Sequence, residues 1–343
     1  MCIRDRSIAL QPDGKILVGG AFTSYSGVTR NGIIRLNTGG TIDNTFNIGG
    51  GFNFSVYSIV LQPDGKILAG GFFTTYSGVT SSKIIRLNTG GTIDNTFNIG
   101  SGFGGNSVQS MTLQPDGKIL AGGNFSSYSG VTSSRIIRLN TGGTIDNTFN
   151  IGTGFSNGLN DTVYSITLQP DGKILVGGTF TSYSGVTSNN IIRLNTGGTI
   201  DNNTTFNISG GFSGGTVYSI ALQKNGKILV GGDFTSYNSV TRNKIIRLDM
   251  NQNATLNIYK NNVLVVNTST NGVGNVLLSN NDNFYSEVII DNFLSSNQLN
   301  TIINGNVSPY AEQIPIINLT GTITSSTFIV KHTNIYSIEL NTI

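Results

Sequence analysis

A chain of 343 residues with 11% charged residues, a net charge of +3 and one cysteine excludes several classes of protein at the outset. Lys and Arg are spread through the chain and not gathered into a basic stripe, which argues against a nucleic-acid partner. The lone Cys2 leaves no disulfide framework and no cysteine-built metal site, and no apolar run is long enough to span a membrane as a helix.

The first six residues, "MCIRDR", stand where later copies of a repeat carry lead-ins such as Val56-Tyr57, Val163-Tyr164 and Val217-Tyr218. Residues 1–6 therefore read as a truncated or non-native lead-in, and the lack of an apolar signal there says nothing about secretion. From Ser7 onward the block "LQPDGKILVGG" begins at Leu10 and Leu168, stands with Ala for Val at Leu61 and Leu113, and returns as "LQKNGKILVGG" at Leu222. The periods of 51, 52, 55 and 54 residues divide 7–250 into repeats at about 7–55, 56–107, 108–162, 163–216 and 217–250. A period of this length signals stacked supersecondary units that bury their apolar surfaces on one another.

The second repeat shows the pattern. In "VYSIVLQ", Val56, Ser58 and Val60 alternate with Tyr57, Ile59 and Leu61, and both sets are mostly apolar or small, as in a strand buried on both faces. "PDG" at 63–65 is a tight reversal, with Gly65 in the left-handed conformation; Gly14, Gly117, Gly172 and Gly226 take the same role. "KILAGGFF" (66–73) is the second strand, and its double glycine marks a close approach by another backbone. The polar loop "TTYSGVTSS" leads to the third strand "KIIRLN" (83–88), and "TIDNTFN" (92–98) is expected to form a short fourth strand after a "TGG" turn. Four short antiparallel strands per repeat predict an all-β fold, a β-propeller of four-stranded blades. A solenoid is the alternative, but hairpin turns require antiparallel neighbours.

The paired blocks "LQPDGKILVGGxF" and "IIRLNxGGxIDxTF" closely resemble the delta-60 repeat family of bacterial and phage proteins, whose repeat is regarded as a propeller blade. The resemblance covers residues 7 to about 250. The fifth copy departs from it, with "KNG" for "PDG" and no "IDNTF", so that five blades are a minimum count and ring closure draws on blades outside this sequence.

The recurrent Arg35, Arg86, Arg138 and Arg193 lie in an apolar strand and need a partner; Asp43, Asp94, Asp146 and Asp201, across the "TGG" turn, are expected to staple them within or between blades. The fifth copy keeps Arg247 without that Asp, leaving Asp249 or an incoming strand to replace it. Asp13, Asp64, Asp116 and Asp171 serve turn geometry better than a metal, since the fifth copy has Asn225 there, and no metal or other cofactor is expected. Lys15, Lys66, Lys118, Lys173 and Lys227 read as solvated strand ends or as a positive ring at one mouth of the propeller. The glycine-rich links lack the order of a phosphate loop and precede no helix. The only histidine, His332, lies outside the repeats, and near-identical copies do not provide the differing environments that a catalytic acid pair needs, so no catalytic residue is assigned.

Recognition is expected where the copies disagree. After "SGVT" they read Arg30-Asn31-Gly32, Ser81-Ser82-Lys83, Ser133-Ser134-Arg135, Ser188-Asn189-Asn190 and Arg242-Asn243-Lys244, and the residue after the double glycine runs Ala21, Phe72, Asn124, Thr179, Asp233. Candidate binding residues there are Arg30, Lys83, Arg135, Asn190 and Lys244. The invariant Tyr25, Tyr76, Tyr128, Tyr183 and Tyr237 are either a stacking platform or blade-packing residues.

From 251 to 343 the pattern changes but remains β. "TLNIY" and "VLVVN" flank a short "KNN" reversal, two further hairpins follow, and residues 295–303 hold a helical turn or another strand, which together suit a small β-sandwich. The expected protein is a non-catalytic structural or binding protein of a cell surface, a virion or the extracellular space, contacting a protein or glycan. A carbohydrate-active lyase or hydrolase working in the propeller channel is the alternative.

Overall fold

The structure, a computed structural model, describes residues 5–156, 161–202 and 210–248, together with eight strands between Ala254 and Thr342. Cys2, Asp249 and His332 lie outside the described residues, as do residues 295–300. Two compact units are present: Met1–Asn202 with Ile208–Ala221 and Leu229–Ile246, and Asn203–Asn207 with Leu222–Ile228 and Arg247–Ile343.

In the first unit each repeat builds a small antiparallel sheet in which the glycine strand is central. In the second repeat the lead strand Val56–Leu61 and the third strand Ile84–Leu87 flank Ile67–Gly71. The hairpin between the first two closes as Gln62 N–H donates to Lys66 O at 2.9 Å and Lys66 N–H to Asp64 Oδ1 at 3.1 Å. Gly65 sits at φ +82°, and the equivalent glycines 14, 117, 172 and 226 all lie between +78° and +83°.

Three features differ from the expectation drawn from the sequence. The fourth strand at 92–98 does not form; a single bridge between Leu87 and Ile93 stands in its place and recurs at Leu36 and Ile42, Leu139 and Ile145, and Leu194 and Ile200. The reason is local: Asp94 Oδ1 accepts Thr96 N–H at 3.0 Å and Thr96 Oγ1 at 2.7 Å, turning the backbone away from a ladder. The "polar loop" is itself a hairpin, Thr75–Tyr76 against Val79–Thr80, closed by Ser77 (φ +48°) and Gly78 (φ +81°) in a two-residue primed turn. The simple alternation of the lead strand is broken by a bulge between Val56 and Ser58, which puts Val56 and Ile59 on one side; the same register shift occurs in the first, third and fourth repeats.

Most of the core lies between repeats, with a smaller cluster of Val18, Phe22, Ile34 and Leu36 within the first. One cluster joins Leu17, Ile33 and Phe46 of the first repeat to Ile59, Ile67 and Phe73 of the second, and equivalent clusters join the second to the third and the third to the fourth. Gly19 permits this contact, because a Cβ there would lie 2.8 Å from both Val56 Cγ1 and Ile59 Cδ1.

The second unit holds two four-stranded antiparallel sheets. One pairs Ala254–Lys260 with Val263–Thr270 and Tyr336–Thr342, the last pairing also with Thr327–Val330; the other runs Gly274–Ser279, Tyr285–Ile290, Thr301–Asn306, Asn318–Leu319. The span 301–303 is therefore strand.

Candidate functional site

The chemistry that recurs in the first four copies gathers around the arginine of the third strand. Arg86 is buried, its Nε donates to Asp94 Oδ2 at 2.6 Å, Nη2 donates to Thr96 Oγ1 at 3.0 Å, and its guanidinium lies 4.7 Å from the centre of the Phe97 ring. Nη1 leaves the repeat and donates to the carbonyl of Thr141, in the "TGG" turn of the next one, at 2.6 Å. Arg35 makes the same set with Asp43, Thr45, Phe46 and Thr89, and Arg138 with Asp146, Thr148, Phe149 and Thr196. Arg193 donates to Asp201 at 2.6 Å. In Arg35, Arg86 and Arg138 each of the three guanidinium nitrogens donates to an acceptor, which helps a permanent charge to leave water.

The carboxylates are used as fully. Lys66 Nζ approaches Asp94 Oδ2 at 3.1 Å and Asp64 Oδ2 at 3.6 Å, and Lys15, Lys118 and Lys173 repeat the arrangement. These lysines are held to the staple aspartates and do not stand as free strand ends. Burial alone would raise the pKa of Asp94 and Asp146, but bonds from Thr96 or Thr148, the lysine and the arginine outweigh it and hold both well below the usual carboxylate range. Asp43 is lowered likewise, first by Thr45.

The tyrosines are enclosed. Tyr76, Tyr128 and Tyr183 are each 1% exposed, and their hydroxyls donate to the carbonyls of Gly91, Gly143 and Gly198 at 2.5–2.6 Å. The Tyr76 ring packs 4.6 Å from that of Phe52, which in turn meets Phe73. Both the apolar ring and the polar tip are committed, and desolvation raises the phenol pKa of all three. A side chain so enclosed offers no stacking face, which corrects the platform role for Tyr76, Tyr128 and Tyr183. Tyr25 is half-buried, with its hydroxyl on Gly40 O, and Tyr237 is half-buried against Phe212.

Lys83, Arg135, Asn190 and Lys244 share one backbone position with Gly32, and all five have φ between +64° and +72°. Non-glycine residues are strained there by about 1 kcal/mol, Asn least. Asn190 acts as a clasp: its Nδ2 reaches the carbonyls of Phe212 and Gly215, in the link to the next repeat, at 3.1 and 2.8 Å. Arg135 Nη1 donates to Phe125 O at 2.9 Å, and Arg30 Nη1 donates to its neighbour Thr29 O. Asn190, Arg135 and Arg30 are thus at least partly tied to the frame. Lys83 is half-buried and Lys244 is exposed.

The variable position after the double glycine holds an aromatic pair whose second member, Phe54, the sequence did not single out. Phe72 is 41% exposed and meets Phe54, 55% exposed, edge to face with centroids 5.5 Å apart. In the other copies this position is Ala21, Asn124, Thr179 or Asp233. Among the described residues no group of three or more metal-ligating side chains gathers, and no helix is long and apolar enough to cross a membrane.

Repeated small antiparallel sheets joined through their faces define a β-propeller repeat protein. A family model described as "Domain of unknown function (DUF5122) beta-propeller" matches residues 11–46, 62–97, 114–149, 169–203 and 223–251, together half of the chain, and the chain belongs to this family. The matched segments fall on the blocks that carry the delta-60 resemblance, and the family shown is the one so described. No curated protein matches the chain. Among solved structures, that of the polysaccharide lyase Uly1 is similar over 98% of this chain and 89% of its own, with 9% identity and a TM-score of 0.32, a likeness that carries no argument about activity.

Proposed function

We propose that the chain is a non-catalytic binding protein: a propeller of delta-60-type blades, at least five in number, joined to a β-sandwich and displayed at a cell surface, on a virion or in the extracellular space. It contacts a glycan or protein through loops on the propeller surface. The exposed Phe54 and Phe72 pair carries this reading. The residues shared by the first four copies are spent on one another, whereas this aromatic edge, between the end of the first repeat and the second, stands in water at a position where the copies differ. An exposed ring pair presents apolar area at little entropic cost and suits the apolar face of a sugar or a partner's side chain.

The test is a glycan array probed with the whole chain and with Phe54→Ala/Phe72→Ala, alongside an assay of soluble polysaccharides for new reducing ends or unsaturated products. Both rings are exposed, so the melting temperature is expected to hold while binding falls at least about tenfold, the effect of losing a small aromatic contact. A chain that binds no printed glycan narrows the partner to a protein. Turnover of any polysaccharide, or binding untouched by the double substitution, overturns the reading.

A further inference from the structure

The corner where each link enters its lead strand varies in a matched way. The residue two places before the buried valine of the lead strand lies against the residue after the double glycine. Phe54 meets Phe72 there with ring centroids 5.5 Å apart, and Asn106 Nδ2 donates to Asn124 Oδ1 at 3.4 Å. In the fifth repeat a Cβ on Gly215 would collide with Asp233 Oδ1, so the carboxylate takes the space that a link side chain fills in the other two. Two rings, two amides, and a glycine with a carboxylate thus occupy one place. The sheet beneath does not demand the change, because Val56 pairs with Gly71 as Val108 pairs with Gly123 and Val163 with Gly178.

A second row runs beside these corners, formed by the bulge residues Tyr57, Gln109 and Tyr164, with Tyr218 at the same place in the fifth copy. The bulge releases this side chain from the alternation that buries its neighbours: Val56, Val108 and Val163 are fully buried, whereas Tyr57, Gln109 and Tyr164 are half-buried. The Tyr218 hydroxyl donates to Asp233 Oδ2 at 3.3 Å, so the two rows share one face. The rings of Tyr164 and Tyr218 stand edge to face with centroids 5.2 Å apart, which makes bulge residues of successive repeats neighbours. Lead strands meet in the same way between the second, third and fourth repeats, where Met111 N–H donates to Ser58 Oγ and Ile166 N–H to Ser110 Oγ, both at 3.0 Å.

We propose that this face holds one extended glycan chain laid across successive repeats, from the Phe54 and Phe72 edge over Asn106, Gln109 and Asn124 to Tyr164. Such a ligand rests on the glycan-binding reading made above and narrows it to a linear polymer, as opposed to a single terminal sugar. The chemistry of the face matches it. Rings alternate with side-chain amides; an amide both donates and accepts, as every sugar hydroxyl does, and a ring takes the C–H side of the sugar. The layout matches it too. Each repeat offers its own set of groups beside that of its neighbour, so a ligand engages several sets at once only by being long.

The experiment is titration calorimetry of the whole chain with linear oligomers of glucose, of N-acetylglucosamine and of galacturonate, from dimer to octamer. For the sugar that binds, affinity is expected to climb at least about tenfold between dimer and octamer. Gln109→Ala and Tyr164→Ala should each weaken octamer binding about fivefold or more and leave the dimer unchanged, since the dimer stays on the phenylalanine edge. Tyr164→Phe, which keeps the ring, should bind the octamer as the parent does. Neither Gln109 nor Tyr164 belongs to the apolar clusters that join the repeats, so the melting temperatures are expected to hold. Equal affinity at every length, or octamer binding untouched by both alanine substitutions, overturns the extended chain and leaves glycan binding standing. A protein that binds no oligomer of any length overturns it as well, and the partner is then a protein.

Discussion

The strand "IIRL" at Ile84–Leu87 is buried at all four residues, but the same four letters at Ile245–Leu248 give two exposed residues, one intermediate and one buried. Within its own sheet each strand has the same place, beside the glycine strand. The difference is made by what lies beyond it. Arg86 is wrapped by the Asp-Thr-Phe segment of its own repeat and reaches the next repeat's turn, whereas Arg247 is exposed and the fifth copy lacks that segment. Burial in this molecule is conferred by a neighbouring repeat more than by the strand's own composition, as expected when stability is a sum of repeat and nearest-neighbour terms.

The largest expected effect tests this contrast directly. Asp94→Ala leaves Arg86 and Lys66 facing each other without the carboxylate, and should cost about 3–5 kcal/mol in urea unfolding, as loss of one partner of a buried pair does. Arg247→Ala should stay within about 0.5 kcal/mol. Equal losses at the two positions would show that the neighbour is not what matters.

Acid should erase the contrast by degrees. Asp43, Asp94 and Asp146 have folded pKa values below the unfolded value of about 3.9, so the unfolded chain takes up protons first as the pH falls. Their contribution is complete above that value and declines through pH 4 and below. The gap in melting temperature between the parent and Asp94→Ala is expected to narrow over that range and to stay constant from pH 5 to pH 8.

The smallest effect concerns the tyrosines. Tyr128→Phe removes a buried hydroxyl from Gly143 O and should cost about 1 kcal/mol, while Tyr237→Phe, at the half-buried end position, should be close to neutral. Thermal melts of the two variants decide it.

What could be read from the sequence was whatever is local or forced by charge. The Gln-Pro-Asp-Gly-Lys reversal depends on backbone preferences of adjacent residues, and an arginine in an apolar strand demands an acceptor wherever the chain goes. The grip of Lys66 on Asp94 was hidden because the two lie 28 positions apart and meet only once the sheet forms. Thr96 and Phe97 were misread as strand residues, since a Thr-Phe pair has strand propensity and nothing local announces a guanidinium above it. The hairpin at Ser77-Gly78 did leave a signal, a Ser-Gly pair between Tyr and Val, which its polar flanks obscured. The bulge at Tyr57 left none, because one inserted residue reverses the faces without altering the composition. The exposed aromatic edge was legible by half: Phe72 stands at a position where the copies differ, but Phe54 looks like a core residue until the rings around Phe52 prove to have filled that core.

The bond from each arginine to the threonine carbonyl of the following repeat bears on how such a chain changes length over generations. Each of the first four copies carries both the reaching arginine and the turn that is reached. A unit gained by duplication or lost by deletion therefore leaves a seam whose two sides already match, and no new contact has to arise by point mutation. The copies must then stay alike at these two places, since each has to fit whichever sister it happens to meet.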